Sequence, residues 1–125
     1  MITYADKPWL KSYDQGVPAT LDYPEIVLPH FLTENAKRAP GNVALITSAK
    51  LPLLGRQANM TTYGELDRLS DALAAGLIDM GLKKGDRVAI VMPNSVAFVI
   101  SFYGILKAGG VVAATNPTYP ADKMA

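Results

Sequence analysis

No cysteine occurs in the 125 residues, so disulfides, thiolate metal sites and a cysteine nucleophile are excluded together. Histidine is almost missing. The single one, His30, follows a proline at an expected helix start, and an ordinary partly exposed side chain accounts for it better than a Ser-His-Asp relay or a metal site. Charge of one sign is missing too: 12 basic and 11 acidic residues give a formal net charge of +1. With no block of like charges, nothing recommends a nucleic-acid partner. The longest apolar stretch, Val88 to Leu106, would approach the ~20 residues of a membrane span, but Pro93-Asn94-Ser95 divides it. The N-terminus, Met1 to Pro8, lacks the apolar core of a signal peptide. Internal repeats and low-complexity tracts are absent as well. A soluble, cytoplasmic protein is expected, with protein, small-molecule or lipid partners and at most peripheral contact with a membrane.

What is present is globular: 50% of residues are hydrophobic and 18% charged. The length suits one domain or part of one, able to bury roughly two-thirds of its unfolded surface. Residues 1–27 carry Pro8, Pro18 and Pro24 without regular period and read as an extended arm. Trp9, Leu10, Tyr13, Val17 and Leu21 give that arm apolar anchors for packing. A first helix follows, with Pro29 in its first turn, Leu28, Phe31, Leu32, Asn35 and Ala36 on one face, and Pro40-Gly41 as its stop. Val43–Thr47 is a short strand. Residues 48–59 contain Pro52, Gly55 and Asn59 with little periodicity and read as a long loop, one that two hairpin strands would flank. Within it, Leu51-Pro52-Leu53-Leu54 is either an exposed apolar patch or tucked against the arm or a neighbouring subunit.

A second helix is signalled by the capping-box pair Thr62 and Glu65, by Leu66, Leu69, Leu73 and Leu77 along one face, and by Gly81 for a left-handed cap. Asp67, Asp71 and Asp79 on it are expected to solvate the opposite face, with interface contacts as the lesser account. After the turn Lys83-Lys84-Gly85-Asp86, Val88–Met92 lacks alternation, as a parallel strand covered on both faces would. Asn94 or Ser95 caps a third helix, apolar nearly all round and expected to be deeply buried, which Gly109 ends. Val111–Ala114 then returns beside the preceding strand, so residues 87–115 form a βαβ unit. Two strands and one apolar helix cannot cover each other on every side, so further polypeptide or a second copy is expected to pack there.

Chemistry is sparse. A phosphate-cradling loop belongs between a strand and a helix start. Gly109-Gly110 lies at the other pole, and Met92-Pro93-Asn94-Ser95 holds neither glycine nor lysine. An independent Rossmann-type nucleotide binder is thereby disfavoured. Thr62-Tyr63-Gly64-Glu65-Leu66 could be a binding motif, but capping already explains Thr62 and Glu65. Asn116, Thr118 and Tyr119 follow the carboxyl end of a parallel strand, the edge where open α/β sheets bind ligands. A turn set by Asn-Pro and Tyr-Pro is the competing account of them.

Three stretches together resemble the N-terminal region of the AMP-forming acyl-CoA synthetases, of the adenylate-forming superfamily. Met60-Thr61-Thr62-Tyr63-Gly64-Glu65-Leu66 resembles the first core motif of that family, and Leu106-Lys107-Ala108-Gly109-Gly110-Val111-Val112 the second. Between them, Gly81 to Ile90 and Met92-Pro93-Asn94-Ser95 follow the linking pattern in order and spacing. Lys7 to Tyr13, Gly16-Val17-Pro18-Ala19 and Asn116-Pro117-Thr118-Tyr119 are similar to long-chain fatty-acid CoA ligases. The stretch from Ser48 to Asn59 departs, since many relatives have a tighter hairpin there.

The resemblance implies an α/β fold: an incomplete layered sheet at the start of the large domain of the adenylate-forming enzymes, with the 1–27 arm ahead of a partial domain over 28–125. It implies a parent enzyme using ATP, Mg²⁺ and coenzyme A to turn a fatty acid into its thioester through an acyl-adenylate. The family's phosphate loop, adenine and ribose motifs, hinge and C-terminal lysine find no match. No catalytic, cofactor-binding or metal residue can therefore be carried over, and the segment itself is expected to be inactive. The expected partners are the remainder of the ligase chain, the parent's fatty acid and a second copy in a homodimer. The chain reaches Ala125 just after a strand with no closing helix, which reads as an incomplete domain. The alternative is a stand-alone interaction or oligomerisation module derived from such a ligase.

Overall fold

A computed structural model of the chain describes residues 6–52 and 55–120. A short 3-10 helix, Pro8–Ser12, is followed by α1 (Leu28–Arg38), β1 (Val43–Leu51), β2 (Gly55–Thr62), α2 (Tyr63–Asp79), β3 (Arg87–Val91), α3 (Val96–Lys107) and β4 (Val111–Thr115). The strands form two separate pairs, β1 antiparallel to β2 and β3 parallel to β4. The βαβ unit spans 87–115 as expected, with Arg87 opposite Val111 and Val91 opposite Thr115.

The expected loop over 48–59 is ladder instead. Cα pairing continues from Leu45 opposite Thr61 to Leu51 opposite Gly55, and Gly55 adopts φ 70° beside the turn. Glycine, asparagine and a lack of alternation argued for a loop, but cross-strand pairing overrides weak strand propensity. Leu53 and Leu54 of the expected apolar patch lie outside the described residues. In the arm, Trp9 and Leu10 are half-buried, whereas Tyr13, Val17 and Leu21 are exposed. The packing expected of those last three is therefore not made by the described residues.

α1 places Pro29 in its first turn and buries Pro29, Leu32 and Ala36, while Leu28 and Phe31 stay exposed. Its end meets the start of α2: Gly64 N–H donates to the Pro40 carbonyl at 3.0 Å, and Tyr63 N–H to that of Asn42 at 2.9 Å. A Cβ at position 64 would lie 3.2 Å from Pro40 Cβ and Pro40 O, so the glycine permits this approach. At the other end of α2, Leu82 N–H reaches Leu77 O at 3.0 Å and Gly81 N–H reaches Ile78 O at 2.9 Å. That is a Schellman closure, with Gly81 at φ 97°.

α2 packs closely on α3 at Gly104, where an added Cβ would lie 2.9 Å from Leu73 Cδ2. The aspartates of α2 do not simply solvate its outer face. Asp67 and Asp71 both receive Lys107 Nζ from α3, at 2.6 and 2.7 Å, and Asp67 Oδ1 accepts from Thr33 of α1 at 3.0 Å. One cation thereby ties the helices together; Asp79 alone among the three is left as expected, exposed.

Deep burial of α3 is a second expectation that fails. Ile105 is 2% exposed, but Val96, Phe98, Val99, Ile100, Phe102 and Tyr103 are only half-buried. Burying such side chains stabilises by roughly 1.5–3 kcal/mol each, and α1, α2 and two short strands are too few to cover a helix apolar on every side. The β3–β4 pair is covered incompletely for the same reason: Ile90 is buried, while Val91 and Val111 are exposed.

Candidate functional site

β3 and β4 are parallel neighbours, so both carboxyl ends open on one edge. Two turns leave that edge. From β3, Met92-Pro93-Asn94 leads to Ser95, the N-cap of α3, whose hydroxyl accepts from Phe98 N–H at 3.1 Å. Of the two capping candidates read from sequence, Ser95 is thus the one that bonds. From β4, Asn116 begins the second turn, and its Oδ1 accepts from Thr118 N–H at 3.0 Å and from Thr118 Oγ1 at 2.9 Å. Tyr119 N–H closes the turn on Asn116 O at 3.1 Å.

A cleft of about 430 Å³ lies between these turns, lined by residues 92–94, Phe98 and residues 114–118. Asn116 and Thr118 are thus brought together, and both line the cleft. Tyr119 is not among its lining residues and is 53% exposed. Because Asn116 Oδ1 already accepts twice within its own turn, the sequence's two accounts coincide here: the turn is built by the residues that border the cleft. What remains to meet a ligand is amide, hydroxyl and apolar surface, with no ionisable side chain among the lining residues.

A second cleft, about 350 Å³, separates residues 45–48 of β1 from Asn94, Ser95, Val96 and Val99 at the start of α3. Sequence reasoning did not find it. No local signal could, because it depends on where the hairpin lies relative to a helix some fifty residues later.

The other sequence candidates resolve as structure. Thr62 Oγ1 accepts from Glu65 N–H at 3.2 Å while Glu65 Oε2 accepts from Thr62 N–H at 2.9 Å, a complete capping box. Those bonds, the backbone one first and the hydroxyl second, hold the Glu65 carboxyl below the usual carboxylate range. Glu34 is held low by its hydrogen bond and charge pairing with Lys37 one turn along α1. Neither carboxylate lines the cleft. His30 is exposed, stacked edge-on to Phe31 at 6.4 Å between ring centroids. Among the described residues, no three of His, Cys, Asp and Glu gather closely enough to hold a metal ion, and no helix is long and apolar enough to cross a membrane.

Comparison with known proteins gives consistent matches. Residues 32–125 match the profile of AMP-binding enzymes. The long-chain-fatty-acid–CoA ligase of Bacillus subtilis is 42% identical over 117 residues, covering 92% of this chain and 19% of the relative. The ligase of the same description from Yersinia pestis is 36% identical over 115 residues, again 19% of its length. The chain therefore spans about one fifth of the length of these two ligases. Among solved structures, the N-terminal subdomain of Klebsiella oxytoca NpsA superposes with a TM-score of 0.67 at 32% identity, over 78% of this chain and 23% of that one. The nonribosomal peptide synthetase FmoA3, bound to α-methyl-L-serine-AMP, gives 0.71 at 26% identity, over 84% of this chain and 11% of that one.

Proposed function

The chain belongs to the AMP-binding enzymes, and on that premise we propose that it is the N-terminal part of a long-chain fatty-acid CoA ligase. The observation that carries this reading is the 42% identity to the Bacillus subtilis ligase, which extends over 92% of the chain. In the overall reaction a fatty-acid carboxylate oxygen attacks the α-phosphorus of ATP and pyrophosphate leaves. The thiol of coenzyme A then attacks the acyl carbon and AMP leaves.

The residues described here do not fit the nucleotide or its Mg²⁺. The β3–α3 turn has neither glycine nor lysine, Ser95 already takes the Phe98 N–H at the helix start, and among the described residues no three of His, Cys, Asp and Glu gather to hold a metal ion. No step of the chemistry is assigned to them. This segment supplies framework: Lys107 and Gly104 fix α3 on α2, α3 fixes β3 and β4, and the two strands present Asn116 and Thr118 at their carboxyl edge as ligand-edge candidates.

The test is a transplant. Residues 1–120 of this chain replace the aligned segment of the Bacillus subtilis ligase, and acyl-CoA formation is measured with long-chain and short-chain acids. A chimera that melts cooperatively and thioesterifies long-chain acids is the expected result; one that folds yet prefers short acids, or makes no thioester, overturns the proposal. The 125-residue chain alone is expected to release no pyrophosphate from ATP, Mg²⁺ and fatty acid. The half-buried α3 favours one other reading, a self-pairing module, which a concentration-independent monomer in light scattering would remove.

A further inference from the structure

Three clefts adjoin one another between β1, α3 and α1. The 350 Å³ cleft between β1 and the start of α3 shares Leu45 and Val99 with a cleft of about 240 Å³ that reaches Phe31, Tyr63 and Tyr103. That one shares Phe31 and Asn35 with a third, about 370 Å³, along α1. Val96, Val99 and Tyr103 follow at helical spacings of three and four, so a single half-buried face of α3 walls the first two clefts. Among the described residues those two are lined by apolar, hydroxyl and amide groups, with no charged side chain. The third differs: His30, Glu34 and Arg38, on successive turns of α1, line it beside Ile26.

The charge of that third cleft is one-sided. Glu34 Oε1 accepts from Lys37 Nζ at 2.9 Å, and this pairing neutralises the acid. Arg38 donates through Nη2 to Asn35 Oδ1 at 2.8 Å, and Asn35 in turn donates to Phe31 O at 2.7 Å. The guanidinium is therefore tied to a residue that the second and third clefts share, with N–H groups to spare, and among the described residues it is bonded to no carboxylate. An uncharged apolar ligand would leave that cation unmatched, and a small anion would leave the α3 face in water. A monoanion with a long hydrocarbon tail answers both, because its carboxylate takes the guanidinium while its tail removes the α3 valines from water. We propose that this groove binds a free long-chain fatty acid, with the carboxylate at Arg38 and the tail running past Val99 toward Val96. The strand-end cleft borders the groove only at Asn94, and the assignment stands whether or not the ligase reading does.

The experiment is calorimetric titration of the 125-residue chain with laurate below its micellar concentration, with folding followed by circular dichroism. Saturable binding is expected. Butyrate, which lacks the tail, and dodecyltrimethylammonium, which carries the opposite charge, should each bind roughly tenfold more weakly or worse. Arg38→Gln should weaken laurate binding about fivefold. Val99→Thr, which keeps the side-chain shape and puts a hydroxyl on the groove wall, should weaken it at unchanged charge. Lys83→Gln, which removes a cation outside the groove, should bind like the parent chain. Spin-labelled stearate locates the ligand: a label near the carboxylate should broaden amide signals around Asn35, and a label at the tail end those around Thr47 and Val96. No saturable binding by the folded chain, equal binding of either control amphiphile, full affinity in either groove variant, an equal loss in Lys83→Gln, or broadening centred elsewhere overturns the proposal.

Discussion

Lys107 Nζ, from the last turn of α3, lies 2.6 Å from Asp67 Oδ1 and 2.7 Å from Asp71 Oδ1 on α2, and 3.1 Å from the Asp67 carbonyl. Its side chain is 10% exposed, that of Asp67 19% and that of Asp71 63%. The two aspartates are therefore unequal. Removing one partner of a buried pair strands the other charge at a cost of about 3 kcal/mol, whereas an exposed pair contributes about 0–1 kcal/mol. Lys107→Met and Asp67→Asn should each destabilise by about 3 kcal/mol, and Asp71→Asn by under about 1, in urea titrations. Equal losses for the two aspartates would refute the assignment of Asp67 as the buried partner.

Gly104 and Leu73 set how closely α3 approaches α2. An added Cβ would meet Leu73 Cδ2 at 2.9 Å, Cβ at 3.0 Å and Cγ at 3.1 Å. Alanine is otherwise the better helix residue by about 1 kcal/mol, but overpacking costs about 1–3 kcal/mol. Gly104→Ala should therefore destabilise. Combined with Leu73→Ala, which removes two of the three obstructing atoms, its cost should shrink. A double-mutant cycle measures this, and strict additivity of the two losses would show that Leu73 is not the obstacle.

Legibility in the sequence followed the distance over which each feature is determined. Thr62 with Glu65 and the glycine stops at 81 and 109 are settled within six residues, and their patterns were readable. The βαβ unit was readable because a non-alternating apolar strand, a capped helix and a second such strand follow in close succession. The hairpin's strands extend further than the sequence suggests, because its pairing joins Leu45 to Thr61 and nothing in residues 48–59 taken alone demands it. Lys107 was missed as the partner of Asp67 because 40 residues separate them. At the candidate site, Asn116 and Thr118 were legible as a local turn and strand edge, but the cleft also needs residues 92–94 and Phe98, brought there only by the parallel register.

The Thr62–Glu65 box gives a pH dependence of definite sign. Glu65 titrates below its usual 4.5 in the folded chain because Thr62, through N–H and then hydroxyl, favours the charged carboxylate. A carboxyl whose folded value is lowered adds stability above 4.5, and that addition fades as pH falls from 4.5 through the lowered value. Glu65→Gln should thus melt lower than the parent at neutral pH, with the two melting temperatures converging in acid. A constant offset at every pH would exclude the linkage. Thr62→Ala should cost about 1 kcal/mol at neutral pH through loss of the cap.

Gly109 and Gly110 are adjacent but required for different reasons, which substitution should separate. Gly109 holds φ 82°, a left-handed conformation, and an added Cβ would meet nothing closer than Lys84 at 3.6 Å. Backbone conformation is its sole demand, and asparagine enters that region more readily than other residues with side chains. Gly110 has no positive φ, but a Cβ there would lie 2.9 Å from Ile105 Cγ2 and 3.2 Å from Ile105 O, a main-chain atom fixed by the bond it accepts from Gly110 N–H at 2.9 Å. Gly109→Asn should therefore be mild, and Gly109→Ala should cost about 1 kcal/mol. Gly110→Ala should cost about 1–3 kcal/mol, with Gly110→Asn no better. Chemical denaturation of the four variants decides it: if asparagine rescues position 110 relative to alanine but not position 109, the two roles have been assigned the wrong way round.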